Sequence, residues 1–113
     1  MQYIERRGAI KTSVTVDTVL ADAAAIDISG FAGAAVRVPS GSSITSLTVY
    51  GATAADGTFA ALHGLNSSLA AVALALTGLS AGKGYELPSA IFPWPFIKLV
   101  GDADGVVDVV LKT

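Results

Sequence analysis

Three features of this 113-residue chain predict an all-β fold, a single-domain antiparallel β-sandwich with jelly-roll or Greek-key-like connections. Apolar and polar residues alternate in short segments along the chain, as a strand with one buried face requires. Clusters of Gly, Ser, Asp and Pro separate those segments. The stretch Thr45-Ser-Leu-Thr-Val-Tyr-Gly-Ala-Thr-Ala-Ala-Asp-Gly-Thr-Phe-Ala-Ala-Leu62 joins two such segments through Asp56-Gly57, a turn pair, and reads as a β-hairpin.

Taken in order, Met1 to Ala9 reads as an amino-terminal arm and residues 10–113 as the sandwich. Ser13-Val-Thr-Val16 alternates as a strand. Ile26 and Ile28 share one face with Asp27 opposite, and Ser29-Gly30-Phe31-Ala32-Gly33 ends that run. Ala34-Ala-Val-Arg-Val38 is a strand with Val36 and Val38 inward and Arg37 outward, stopped by Pro39-Ser-Gly-Ser-Ser43. In the hairpin that follows, Leu47 and Val49 point to one face and Thr48 and Tyr50 to the other.

His63 to Ser68 reads as a loop. In Leu69-Ala-Ala-Val-Ala-Leu-Ala-Leu-Thr77 helix and strand compete: Ala and Leu favour a helix, whereas the period of two and the flanking Asn-Ser-Ser and Thr-Gly favour a strand. The strand is preferred, with an alanine face suited to close packing under a second surface. Ser80 to Gly84 is a loop, Tyr85-Glu-Leu87 a short strand, and Pro88 to Phe92 a single helical turn opened by proline. Pro93-Trp-Pro95 forces an extended crossing. Phe96 to Val100 and Val106 to Lys112 are the last strands, with Gly101-Asp-Ala-Asp-Gly105 expected to close a second hairpin. The total is seven to nine strands, without a fixed-period repeat.

The composition narrows the function. The chain is 52% hydrophobic and 14% charged, where soluble domains carry about 25% charged residues. A domain of this size cannot hide so much apolar surface alone, so an oligomer or larger assembly is expected to cover one face. Net charge is −2 and the seven basic residues are scattered, which argues against a nucleic-acid partner. Cysteine is absent, removing disulfides, thiolate metal sites and cysteine nucleophiles. The opening Met-Gln-Tyr-Ile-Glu-Arg-Arg has no apolar signal core, and the longest apolar run, Leu69 to Leu76, is far short of the ~20 residues that cross a bilayer. Synthesis in a cytoplasm and no membrane partner are expected.

No catalytic, cofactor or metal site is assigned. His63 is the only histidine, and no Ser or Asp stands in a nucleophile-elbow spacing. Asp102-Ala-Asp104-Gly105 has alternate carboxylates but lacks the closing glutamate of a calcium loop. Gly82-Lys83-Gly84 lacks the glycine pattern and helix start of a phosphate cradle. Tyr50, Tyr85, Phe92, Trp94 and Phe96 could form a sugar platform, but Phe92, Trp94 and Phe96 flank two prolines and are expected to plug one end of the sandwich.

Val38-Pro39, Leu47-Thr-Val-Tyr-Gly-Ala, Ala55-Asp-Gly-Thr-Phe and Tyr85-Glu-Leu-Pro-Ser-Ala-Ile-Phe, followed by Phe96-Ile-Lys-Leu-Val, together resemble small β-sandwich virion proteins of tailed bacteriophages over residues 32–112. The resemblance implies a non-enzymatic capsid decoration or cement protein. It would sit on the capsid surface of the virion, bind the major capsid protein and form homo-oligomers there, without a cofactor. Within this reading the arm orders on a neighbouring subunit, with Ile4 as apolar anchor and Arg6 and Arg7 pairing with carboxylates. A tail or baseplate component and a carbohydrate-binding module using Trp94 or Tyr50 are the alternatives.

Overall fold

The computed structural model describes residues 9–113. The candidate contact residues Ile4, Arg6 and Arg7 lie outside the described residues. Eleven strands are formed there: β1 (Ala9–Val16), β2 (Ile26–Asp27), β3 (Gly33–Arg37), β4 (Leu47–Ala52), β5 (Ala60–Ala61), β6 (His63–Leu65), β7 (Ala71–Ala73), β8 (Ala75–Leu76), β9 (Gly84–Glu86), β10 (Phe96–Gly101) and β11 (Gly105–Lys112). Two single turns of 3-10 helix, Leu20–Asp22 and Ser89–Ile91, complete the elements, the second entered from Pro88 as expected.

Alternation becomes burial. In β4, Leu47 and Val49 are fully buried beside half-exposed Thr48 and Tyr50; in β3, Val36 is buried and Arg37 exposed. The same period places Ile97 and Leu99 of β10, and Val107 and Val109 of β11, in one core with Val14, Val16, Val38, Ile44 and Ile91. No polar or charged side chain is buried among the described residues. The core is therefore held by apolar burial and backbone ladders alone.

The strands form two antiparallel sheets. One runs β1-β11-β3-β9; the other runs β2-β10-β4, with both β5 and β8 pairing along the far edge of β4. β6 and β7 pair with each other as a separate two-stranded ribbon. Consecutive strands pair only at β4–β5 and β6–β7, and the other connections cross between the sheets or leave the ribbon. This is the interleaved connectivity of a sandwich in which sequence neighbours are not sheet neighbours.

Five local expectations are corrected. Gly101 to Gly105 does not close a hairpin, because β10 and β11 belong to different sheets. It is a corner: the Gly101 N–H donates to Asp17 O at 3.0 Å, and a Cβ on Gly101 would stand 2.7 Å from Val16 Cγ1. The expected hairpin is formed, β4 pairing with β5, but the reversal at Asp56-Gly57 is not a tight two-residue turn. It is a turn within a longer loop, with Gly57 N–H donating to Ala54 O at 3.0 Å, and Gly57 is not in the left-handed region. β1 begins at Ala9 rather than Ser13, since eight consecutive residues find partners on β11. Finally, His63 to Leu65 is a strand rather than a loop, and the run from Leu69 is broken at Leu74.

That break has a physical cause. The Leu74 N–H donates to Leu62 O at 2.9 Å, Leu62 N–H donates to Val49 O at 3.0 Å, and Val49 N–H donates to Leu74 O at 3.0 Å. Three backbones thus close a triangle at the edge of β4. The chain leaves the sheet after Leu62 and returns at Leu74, and everything between stands off the sandwich as the β6–β7 ribbon.

Candidate functional site

The residues that carry chemistry are dispersed. The exposed His63 ring places Nδ1 3.1 Å from Ala61 O, its only hydrogen-bond contact among the described residues. Among those residues no group of three His, Asp or Glu side chains is placed to hold a metal ion. Asp102 and Asp104, the superficial calcium pair, are used as ties. Asp102 accepts from the Thr45 and Ser46 N–H groups at 2.9 and 3.2 Å and from the Thr45 hydroxyl, while Asp104 accepts from Thr18 N–H at 3.1 Å. The Thr45 hydroxyl and then its N–H hold the Asp102 carboxyl below its ordinary pKa against a small desolvation. The Ser29 hydroxyl and N–H do the same for Asp27.

The aromatics divide between core and surface. Trp94 lies against Gly51, where a Cβ would stand 3.1 Å from its Cγ, and packs on the core with Phe92 and Tyr85. These rings seal the sandwich. Phe96 and Tyr50 flank inward-facing residues on neighbouring strands of the other face, and Phe59 lies under the Lys98 ammonium at 4.8 Å. The same ammonium donates to Leu20 O at 3.2 Å, which ties the first 3-10 turn to β10. On the opposite sheet Asp108 is set between Lys11 and Arg37, with N···O distances of 3.8 and 3.5 Å. Exposed pairs of this kind contribute about 0–1 kcal/mol.

Two surface features remain, and sheet order puts them on opposite flanks. The first is the β6–β7 ribbon. His63 pairs with Ala73, Gly64 with Val72 and Leu65 with Ala71. At its tip Asn66 N–H donates to Ala70 O at 3.0 Å and Leu69 N–H donates to Asn66 O at 2.9 Å, while Asn66 Oδ1 accepts from Ser68 and Ala70 N–H. This is a three-residue hairpin loop whose last residue must take a positive φ, a position that glycine normally fills. Here it is Leu69, with φ of 60°. Leu69 is 77% exposed, Leu65 69% and Val72 43%. From Gly57 to Gly82 no Asp, Glu, Lys or Arg occurs. Ala71, Ala73 and Ala75 are also exposed, so the expected second surface over the alanines is not supplied by the described residues of this chain.

The second feature is a groove of about 320 Å³ between β1 and β2, the facing edge strands of the two sheets. Val14, Ala24, Ala25, Ile26, Phe31 and Leu111 give it an apolar lining. Its rim is an open strand edge. The Thr15 carbonyl, directed away from β11, accepts from Ala24 N–H at 3.4 Å. By antiparallel alternation Lys11 and Ser13 also direct their backbone groups outward, and these have no backbone partner among the described residues.

The sequence pointed to neither feature as a site. Leu65 and Leu69 could have been found as large apolar residues beside a turn; the groove joins residues nearly a hundred positions apart and leaves no local signal.

No protein-family model matches the chain, and no curated protein matches it by sequence. Among solved structures, the SPBc2 prophage-derived protein YomS is similar with a TM-score of 0.51 and 16% sequence identity, over 98% of this chain and 100% of that one. The likeness is one of fold, and it runs from end to end: the chain has the same all-β architecture as a prophage-derived protein of matching extent.

Proposed function

We propose that the chain is a structural protein of a tailed-bacteriophage virion, acting as a decoration or cement protein on the outer capsid lattice. The observation that carries this reading is the end-to-end likeness in fold to a prophage-derived protein. The dispersal of the chemical side chains and the exposed apolar ribbon support it, because a part that works by contact needs surfaces rather than a pocket with convergent catalytic groups. The partners under this reading are the major capsid protein and further copies of the chain. The arm residues Ile4, Arg6 and Arg7 add an anchor to a neighbouring subunit.

The mechanism is mechanical and non-enzymatic. A shell under internal pressure fails where subunits part. A rigid sandwich bridging such a junction buries surface in the closed lattice and loses that burial on opening. Binding that favours the intact state stabilises it by linkage, and many linked copies act together. The glycan-binding alternative gains little from the aromatics, since Trp94 is committed to packing on Gly51 and the core.

The test is co-sedimentation of the purified protein with phage heads that lack it. Saturable binding at a lattice-defined stoichiometry, with added resistance of the heads to heat, is expected. No binding to heads together with binding to tails would transfer the role to a tail or baseplate component.

A further inference from the structure

We propose that the β6–β7 ribbon of one copy seats in the β1–β2 groove of a second copy, head to tail, so that each chain gives its tip on one flank and receives its neighbour's on the other. The inference stands on the geometry of the two flanks and does not require the virion reading. Three observations carry it.

Strain and exposure coincide at one residue. Leu69 holds a left-handed backbone conformation that costs a non-glycine residue energy, and among the described residues it is the most exposed of the large apolar side chains. An outlier of this kind is maintained where the side chain has work to do. Leucine at this tip is poor for an isolated ribbon and good for an apolar contact.

The two surfaces are matched in chemistry. The ribbon has no formal charge apart from any on His63, and the groove has one ionised group, Asp27, already engaged by Ser29. Asp27 is exposed, so its carboxylate can stay in solvent at the groove mouth while apolar side chains enter beside it. The ribbon also brings unpaired strand edges to a groove whose rim is the open edge of β1, so strand addition can accompany insertion of Leu65 and Leu69. A slot of about 320 Å³ suits a few apolar side chains.

The two surfaces cannot meet within one chain. Sheet order sets β2 at one edge of its sheet and β5 and β8, where the ribbon leaves, at the other. A contact between unlike patches on opposite flanks is heterologous, and it propagates until the rotation closes a ring. One hairpin in one groove is smaller than the ~800 Å² per partner of a standard interface. Closure, in which every copy makes two contacts, makes the assembly durable.

The experiment uses the full chain and two variants, Leu69→Gly and Ala25→Arg, in sedimentation velocity across a concentration series, with melting curves for each. Leu69→Gly relieves the tip and should melt at or above the parent temperature; Ala25 is exposed, so Ala25→Arg fills the groove mouth without entering the core. The parent chain should associate with rising concentration and each variant alone should stay monomeric. Mixed, the two variants should form a one-to-one dimer at higher concentration than the parent needs to associate, because the groove of Leu69→Gly and the tip of Ala25→Arg are intact but a single contact cannot close a ring. A monomeric parent at every concentration overturns the proposal. So does association retained by either variant alone.

Discussion

The sandwich core and the β6–β7 ribbon are both built of paired antiparallel strands, yet one is a settled body and the other an unfinished one. In β10 and β11 each outward residue is backed by an inward Ile, Leu or Val that is fully buried. In the ribbon Leu65 and Val72 lie on opposite faces, and among the described residues no sheet backs either. Alternation becomes stability only where a second layer receives the apolar face, and an isolated two-stranded ribbon is marginal in water. The difference teaches that hydrophobic pattern specifies a strand, while the supply of a facing layer decides whether that strand serves the fold or a contact beyond it.

Substitutions can widen or collapse this contrast. The largest effect is expected in the core: Leu99→Ala removes a fully buried side chain between the sheets and should cost about 2–5 kcal/mol in denaturant unfolding. The same truncation in the ribbon, Leu65→Ala, should change monomer stability by less than about 0.5 kcal/mol. Equal losses at the two sites would erase the distinction.

A smaller effect is expected at the corner. Gly101→Ala drives a methyl toward Val16 Cγ1 and the Ala103 carbonyl, and should cost about 1–3 kcal/mol by overpacking, read as a lower unfolding midpoint. Asp102 sharpens the comparison through pH. Its folded pKa is lowered by the Thr45 hydroxyl and N–H, so its contribution is present above the ordinary carboxylate range. It is lost as pH falls below about 4 toward the lowered value. Melting curves from pH 6 to 2 should fall on the acid side, and Asp102→Asn should flatten part of that fall. An effect of opposite sign is expected at the ribbon tip: Leu69→Gly should stabilise the monomer by up to about 1 kcal/mol, because glycine accepts the left-handed tip.

The elements that the sequence made legible are those whose period of two ends in the core. Leu47 and Val49, Val36 and Val38, and Ile26 with Ile28 all bury the face their spacing predicts. Pro88 marked a helical turn correctly, and of the three rings expected to plug the sandwich Trp94 and Phe92 pack on the core while Phe96 does not. Pairing was not legible. Gly101 to Gly105 is written like a hairpin turn, but Asp102 and Asp104 reach across to Thr45 and Thr18 and hold it as a corner between sheets. The break at Leu74 depends on the backbones of Val49 and Leu62, far away in sequence, so no local pattern announces it. The groove arises from such long-range pairing and the ribbon is a local hairpin, so the apolar surplus predicted a covered face and left the groove unlocated.

Hydrogen exchange of the parent chain at low and high concentration tests the division between settled body and contact element most directly. In dilute protein the amides of β10 and β11 should be strongly protected and those of residues 63–73 weakly so. On concentration, protection should rise together at 63–73 on one flank and at residues 11–13 and 24–26 on the other, with β9 unchanged. Protection at residues 63–73 that matches the core in dilute protein, or that does not respond to concentration, would contradict the account.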